Sequence, residues 1–309
     1  HTVSKEEKLI ETGNLGQFYR YCNKSLRSHS NVGSIKLPDG SLTNNPDSKA
    51  GAINDYLCSV YTKDNGVIPQ TTSTAGADGT QPQLSHINFT TSDVYGCLRK
   101  LKAKSSGGPD QIPPVFLKHC ASVLAAPLAS LFQGSFESGY LPDIWRMAFV
   151  TPIFKKGDSS LPSNYRPISL TCTCCKVMES IIKTNMLAYL QTNNIISKQQ
   201  HGFLSKHSTS TNLLECVQDW IVKLESKIPV DVVYVDFSRA FDSVLHSKLL
   251  YKLETVGLSG CLLNWIASFL TSRKQCTVID HCASNVSDVI SGVIQGSCIG
   301  PVLFLLFIN

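Results

Sequence analysis

The stretch Asp231 to His246 reads DVVYVDFSRAFDSVLH, and its interpretation decides the fold. Val232 to Val235 are β-branched or aromatic and carry no charge, which predicts a strand. With no charge on either face, that strand is expected to lie centrally in a sheet. It ends abruptly in a carboxylate, Asp236. Beyond it Phe237, Ala240, Phe241, Val244, Leu245 and Leu249 recur at spacings of three and four, which predicts a helix packed on a sheet. Asp236 then stands where strand gives way to loop or helix, held by fixed backbone and free to point at a ligand. Taken alone, such a residue is more often a helix-capping aspartate.

Four further stretches give Asp236 its context. They are TPIFKKGD (Thr151 to Asp158), NYRPISL (Asn164 to Leu170), QHGFLSKHSTSTNLL (Gln200 to Leu214) and SGVIQGSCIGPVLFLLFIN (Ser291 to Asn309). In this order and spacing the five stretches resemble the fingers and palm of a reverse transcriptase from a non-LTR retrotransposon, of the jockey and CR1-like kind. The resemblance is dense from Lys100 to Asn309 and thin before it. It implies an α/β (α+β) fold with right-hand polymerase fingers and an incomplete palm, preceded by a small accessory segment. Residues 1–85 are then the accessory segment and linker, and 86–309 the fingers and partial palm. No endonuclease motif is visible before them.

The resemblance also implies a site. Two-metal nucleotidyl transfer holds two ions about 3.5–4 Å apart between the attacking oxygen and the leaving pyrophosphate. The expected ion is Mg²⁺, with Mn²⁺ as the alternative, and it takes oxygen ligands from carboxylates and phosphates. Asp236 is the first such carboxylate, assisted by the backbone carbonyl of Phe237. The others come in the family from a Tyr-x-Asp-Asp hairpin expected after Asn309, so the chain as it stands is expected to be inactive. Lys155 and Arg166, ahead of Lys156, are expected to meet the incoming nucleotide, Arg as a planar fork and Lys as a point charge. Phe241 would lie under the nucleotide sugar. Gln295 would touch the nucleotide, with Gly296 admitting its backbone closely. Ile294 stands where the family often has proline. His201, Gly202 and Phe203 correspond to the template-contacting segment.

Each position also has a plain structural reading. Lys-Lys-Gly-Asp is a common exposed turn, and Gly107 to Asp110 is fully explained by turn chemistry. Phe241 fits core packing. Ser208 to Ser210 fit a helix N-cap. Asp242 and His246, at i and i+4 on the expected helix, fit a local hydrogen bond better than a metal site.

Composition agrees with a nucleic-acid partner. The 309 residues carry a formal charge of +5, with 42% hydrophobic residues. Between Arg99 and Lys206 thirteen Lys or Arg face five Asp or Glu, a net of +8, leaving −3 elsewhere. A basic half suits a polyanion, and charge alone fits a solvated surface of ordinary lysines equally well. The 12 cysteines have no framework spacing, and Cys172, Cys174 and Cys175 lack a Cys-x-x-Cys or neighbouring His, so they read as reduced thiols. Pro301 to Ile308 is too short for a bilayer, which needs ~20 apolar residues. The chain opens on His1 without a signal peptide and ends directly out of an apolar run, so both ends read as cut. The implied partners are an RNA template, a DNA primer or target, and dNTPs, without a membrane. The implied location is intracellular, nuclear with a cytoplasmic ribonucleoprotein stage. Two other classes account for the same residues: a non-catalytic nucleic-acid-binding remnant of such an element, and an unrelated soluble α/β protein.

The remaining pattern predicts helices over Leu9 to Leu26, Asp47 to Tyr61, Ser92 to Lys102, Cys174 to Leu190, Thr211 to Lys227, Leu258 to Thr271 and Leu303 to Ile308. Pro114 to Ser138 predicts a helix pair or one helix bent at Pro127. Strands are expected over Trp145 to Phe154, Lys274 to His281 and Ser287 to Val293. Pro38-Asp39-Gly40 predicts a small hairpin. Gly66 to Pro82, poor in apolar residues, predicts a linker, and the whole segment before about His86 is expected to be loosely tied to the rest.

Overall fold

A computed structural model describes residues 32–68, 82–104 and 107–309. The expected helix at Leu9 to Leu26 and most of the expected linker lie outside them. The first described element is the hairpin of β1 (Ile35–Lys36) and β2 (Leu42–Thr43), closed over Gly40 at φ 87° as the Pro-Asp-Gly signal requires. Helix α1 (Pro46–Ser59) follows, capped by the Asn45 side chain, which accepts the N–H groups of Asp47 and Ser48.

The main sheet has five strands. β3 (Met147–Phe154) and β4 (Tyr165–Leu170) form an antiparallel hairpin, and β5 (Arg273–Ile279) runs parallel to β3 on its other side. The far edge of β5 carries β6 (Cys282–Ala283) and β7 (Ser287–Val289), both antiparallel. The connection from β4 to β5 holds four helices, α6 (Thr173–Thr192), α7 (Thr209–Glu225), α8 (His246–Thr255) and α9 (Gly260–Leu270). Before the sheet come α2 (Thr91–Lys100), α3 (Pro114–His119), α4 (Ala121–Ser138) and the short α5 (Asp143–Arg146). The expected helix pair breaks at Cys120, and Pro127 is accommodated inside α4, which ends on Gly139 in the left-handed region. Helix α10 (Gly300–Ile308) is apolar all round and buried along most of its length.

One core joins α2, α4, α6, α8, α9 and α10, with Phe132, Phe136, Trp265 and Phe269 fully enclosed. Burying such a side chain is worth ~1.5–3 kcal/mol. A second core lies on the opposite face of the sheet, where Ile35, Ile53 and Leu57 meet Val150, Tyr165 and Ile279. The segment expected to be loosely tied is therefore anchored over residues 32–62. Asn54, buried in α1, donates to Ser287 Oγ at 2.9 Å and accepts from Thr277 Oγ1 at 3.3 Å. Residues 82–84 are held as well: Leu84 donates to Gly257 O, and Tyr189 donates its hydroxyl to Pro82 O.

The expected central strand does not form. Residues 230–237 have no regular structure, and Val233, Tyr234 and Val235 are 83%, 86% and 78% exposed. A strand is held by ladder bonds to a neighbour, and no strand among the described residues runs beside this one. The helix expected from Phe237 is also absent. Turns occupy residues 238–243, Arg239 adopts a positive φ of 53°, and the helix begins only at His246. Helix α7 shares the exposure, with no buried residue and with Leu213, Leu214, Leu224 and Val222 open to solvent.

Candidate active site

The β3–β4 hairpin positions the two expected nucleotide-contacting cations. Arg166 pairs in register with Ile153, and Lys155 continues the ladder by donating its N–H to Asn164 O at 2.8 Å. Cross-strand partners share a face and residues two apart along a strand do too, so Lys155 and Arg166 project from one face. Both are exposed. The turn between them is closed by hydrogen bonds. Gly157 has φ 88°, and Asn164 donates its amide to Asp158 O at 2.8 Å. The opposite face, with Tyr165, Pro167 and Ser169, is the one α1 covers.

Gln295 and Gly296 lie beside β4. Ser169 donates its N–H to Gln295 O at 2.8 Å, so the loop extends the sheet edge. Gly296 has φ 128°, and a Cβ there would stand 2.4 Å from Ser169 O, so only glycine fits. The Gln295 side chain donates to Asp242 Oδ1 at 3.4 Å. Burial raises the Asp242 carboxyl above the ordinary carboxylate range, against the lowering effect of Gln295 and Arg239. Gln295 and Asp242 line a cavity of about 40 Å³ with Tyr61, Gln275 and Ser291, on the side α1 covers. That space suits ordered water, not a nucleotide. Gln295 and the Lys155–Arg166 pair are thus not brought together on one face.

Asp242 and His246 do not pair. His246 donates Nε2–H to Gly292 O at 2.8 Å, and burial lowers its pKa below the ordinary histidine value. Gly292 donates back to Val244 O, and Val293 to Phe241 O, so these bonds clamp the turn after Asp236 to the loop before Gln295. Sequence spacing pointed to an i, i+4 pair only because it presumed a helix there.

The Phe241 ring lies 6.0 Å from that of Phe203 and 4.8 Å from that of Phe304, tilted by 44° and 43° to them. One expected template residue and the expected sugar-facing residue therefore meet. His201 is turned inward, with Nδ1 3.0 Å from Thr211 Oγ1 and Nε2 3.1 Å from Glu215 Oε2. It fastens its loop to α7, while Phe203 is exposed. Ser208 is the N-cap of α7, in a reciprocal capping box with Thr211.

Asp236 and Phe237 are exposed on irregular backbone. Among the described residues no three His, Cys, Asp or Glu come together in a way that could hold a metal ion. Asp236 alone supplies one carboxylate, so these residues do not by themselves make a two-ion site. All cysteines among the described residues are free thiols.

One residue the sequence did not single out organises this region. Glu179 of α6 is fully buried, and its Oε2 accepts the N–H groups of Cys298 at 2.6 Å and Ile299 at 3.4 Å, just before α10. Burial raises its pKa, against those two bonds and the nearby charge of Arg273. Its spacing within an apolar helix was the available signal, since a charge on a buried face needs a partner.

Residues 153–309 match the reverse transcriptase (RNA-dependent DNA polymerase) family. The chain belongs to that family. It is similar to the RNA-directed DNA polymerase from mobile element jockey of Drosophila funebris, 32% identical over 71% of this chain and 24% of the relative. Its counterpart in Drosophila melanogaster is 30% identical over the same shares. The "Probable RNA-directed DNA polymerase from transposon BS" of Drosophila melanogaster is 26% identical over 98% of this chain and 34% of the relative. The chain therefore spans about a quarter to a third of these relatives. The mixed α/β architecture agrees with reverse transcriptase fingers and palm. Enzymes of this family work with a divalent metal ion on nucleic acid and nucleotides. No helix among the described residues is long and apolar enough to cross a membrane.

Proposed function

We propose that the chain is the fingers and part of the palm of an RNA-directed DNA polymerase encoded by a jockey-like non-LTR element. The parent protein would copy an RNA template onto a DNA primer or target from dNTPs, inside the cell and with a nuclear stage. The observation that carries this reading is the β3–β4 hairpin with Lys155 and Arg166 on one exposed face, within the matched residues. Two cations on one face suit a triphosphate. Residues 86–309 form the polymerase part and 1–85 an upstream accessory segment, although residues 32–62 pack on the polymerase sheet.

Asp236 with the carbonyl of Phe237 would hold Mg²⁺, or Mn²⁺, together with carboxylates from a Tyr-x-Asp-Asp hairpin following Asn309. Phe241 would support the sugar, and Gln295 and Gly296 the nucleotide from the palm side. Gln295 would first have to leave Asp242. Of the template segment, Gly202 and Phe203 are available for contact, and His201 holds the loop.

The test is primer extension on an RNA template with Mg²⁺ and dNTPs. This chain alone is expected to extend no primer. A chain continued through the hairpin and thumb is expected to extend it, and Asp236→Asn in that longer chain should lower the rate about a thousandfold or more. Robust extension by the present chain, or near-normal extension by the substituted one, defeats the assignment of Asp236.

A further inference from the structure

A cleft of about 490 Å³ opens between α2, the Gly107–Gly108 turn, the end of β4 and the start of α6. It is distinct from the small cavity beside Gln295. Lys100, Lys102, Lys104 and Lys176 line it, and no Asp or Glu does. Among the described residues none of these four lysines has a carboxylate within ion-pair distance. Four unneutralised ammonium groups around one concavity produce a focused positive potential.

Two features of the cleft supply hydrogen-bond donors as well. The 20-residue helix α6 begins at its floor, with Thr173 and Lys176 among the lining, and its N-cap Cys172 makes no side-chain capping bond. The Cys172 thiol is instead held by Ile144 O and by Asp110. Uncapped first-turn N–H groups and the helix dipole favour an anion. Independently, Thr171, 3% exposed and also lining the cleft, has a buried hydroxyl without any hydrogen-bond partner. An orphaned hydroxyl is costly to leave unpaired, and a ligand reaching the floor would satisfy it. Asp110 lies beside this helix start: after burial, its charge is the next cause that raises the Cys172 and Cys174 thiols, and it hydrogen-bonds Cys172 as well as accepting the Ile112 N–H at 3.2 Å, but it does not line the cleft. The glycine pair builds the wall. A Cβ on Gly108 would lie 2.6 Å from Thr171 O.

The geometry points to this cleft as a phosphate-binding site, and to a nucleic-acid strand as the source of the phosphates. The alternation of β4 puts Leu170, which lines the cleft, on the same face as Arg166. The cleft lysines and the Lys155–Arg166 pair thus lie on one side of the sheet, a longer basic track than one triphosphate needs. Only the identity of the strand rests on the polymerase reading; phosphate recognition does not.

Fluorescence anisotropy with a labelled 15-nucleotide single-stranded RNA tests it, on the whole chain, from low to physiological salt. Lys100→Gln/Lys104→Gln/Lys176→Gln is expected to weaken binding at least tenfold. It should also flatten the salt slope by about 2, at ~0.7 for each single-strand phosphate that is no longer neutralised. Thr171→Val should weaken binding with an unchanged or raised melting temperature, which a purely structural hydroxyl would not do. Inorganic tripolyphosphate displacing the RNA at equal phosphate concentration assigns the cleft to a free polyphosphate; RNA retained assigns it to a strand. If wild type binds no RNA or tripolyphosphate at low salt, the cleft is not a phosphate site. Binding by the triple variant within twofold of wild type, with weakening only in Lys155→Gln/Arg166→Gln, overturns the cleft and leaves the polymerase reading standing.

Discussion

The buried carboxylate of Glu179 accepts the Cys298 N–H at 2.6 Å, across 119 residues of chain. It ties the middle of α6 to the turn that leads from Gln295 and Gly296 into α10. Such a bond to a charged group contributes roughly 1.5–3 kcal/mol, and its removal leaves two N–H groups unpaired in the core. Glu179→Ala is therefore expected to lower stability by about 3 kcal/mol, measured by chemical denaturation.

The same carboxylate gives a pH dependence with a definite sign. Its folded pKa lies above the ordinary carboxylate value, chiefly through burial. The folded state then holds the proton more tightly than the unfolded one. The stabilising contribution is full below the unfolded pKa and is lost as pH rises through the folded one. Melting temperatures of wild type and Glu179→Gln should therefore diverge with rising pH above the ordinary carboxylate range, the Gln variant gaining. Parallel curves would contradict this.

Gly296 and Gly134 should respond oppositely to alanine. At Gly296 a Cβ would strike Ser169 O at a φ of 128°, so Gly296→Ala should cost about 2 kcal/mol or more and detach the loop from β4. Gly134 in α4 has open space around it, so Gly134→Ala should stabilise by about 1 kcal/mol. Equilibrium unfolding of the two variants reads both.

The anchoring of α1 is tested at Asn54. Asn54→Ala removes its bonds to Ser287 and Thr277 and leaves the Thr277 hydroxyl buried at the sheet. A loss of about 2 kcal/mol is expected, with faster proteolysis within residues 32–62. Unchanged protection there would mean that α1 docks through its apolar residues alone.

The exposed run Val232 to Val235 and the open face of α7 make this chain prone to associate. Charge-poor β-formers with unpaired backbone are templates for intermolecular pairing. Val233→Lys/Val235→Lys should raise the concentration at which light scattering begins, with little change in melting temperature, because neither side chain is buried.

Much was legible from local pattern. The helices of α1, α2, α6, α7, α9 and α10 and the hairpin at Gly40 lie close to where periodicity, caps and turn residues place them, because those signals act within a few residues. The five ordered motifs were enough to identify the family. What local pattern could not decide was pairing. Val232 to Val235 have every property of a strand except a neighbour, and a strand exists only through bonds to another segment. The helix expected after Asp236 failed for a related reason: Gly292 and Val293 hold the turn from across the fold. The inward turn of His201, the separation of Gln295 from Arg166 and the capping of α10 by Glu179 likewise depend on contacts between distant parts of the chain. The basic cleft does too, since its lysines come from two helices and a loop, and only the packing of α2 against α6 brings them to one concavity.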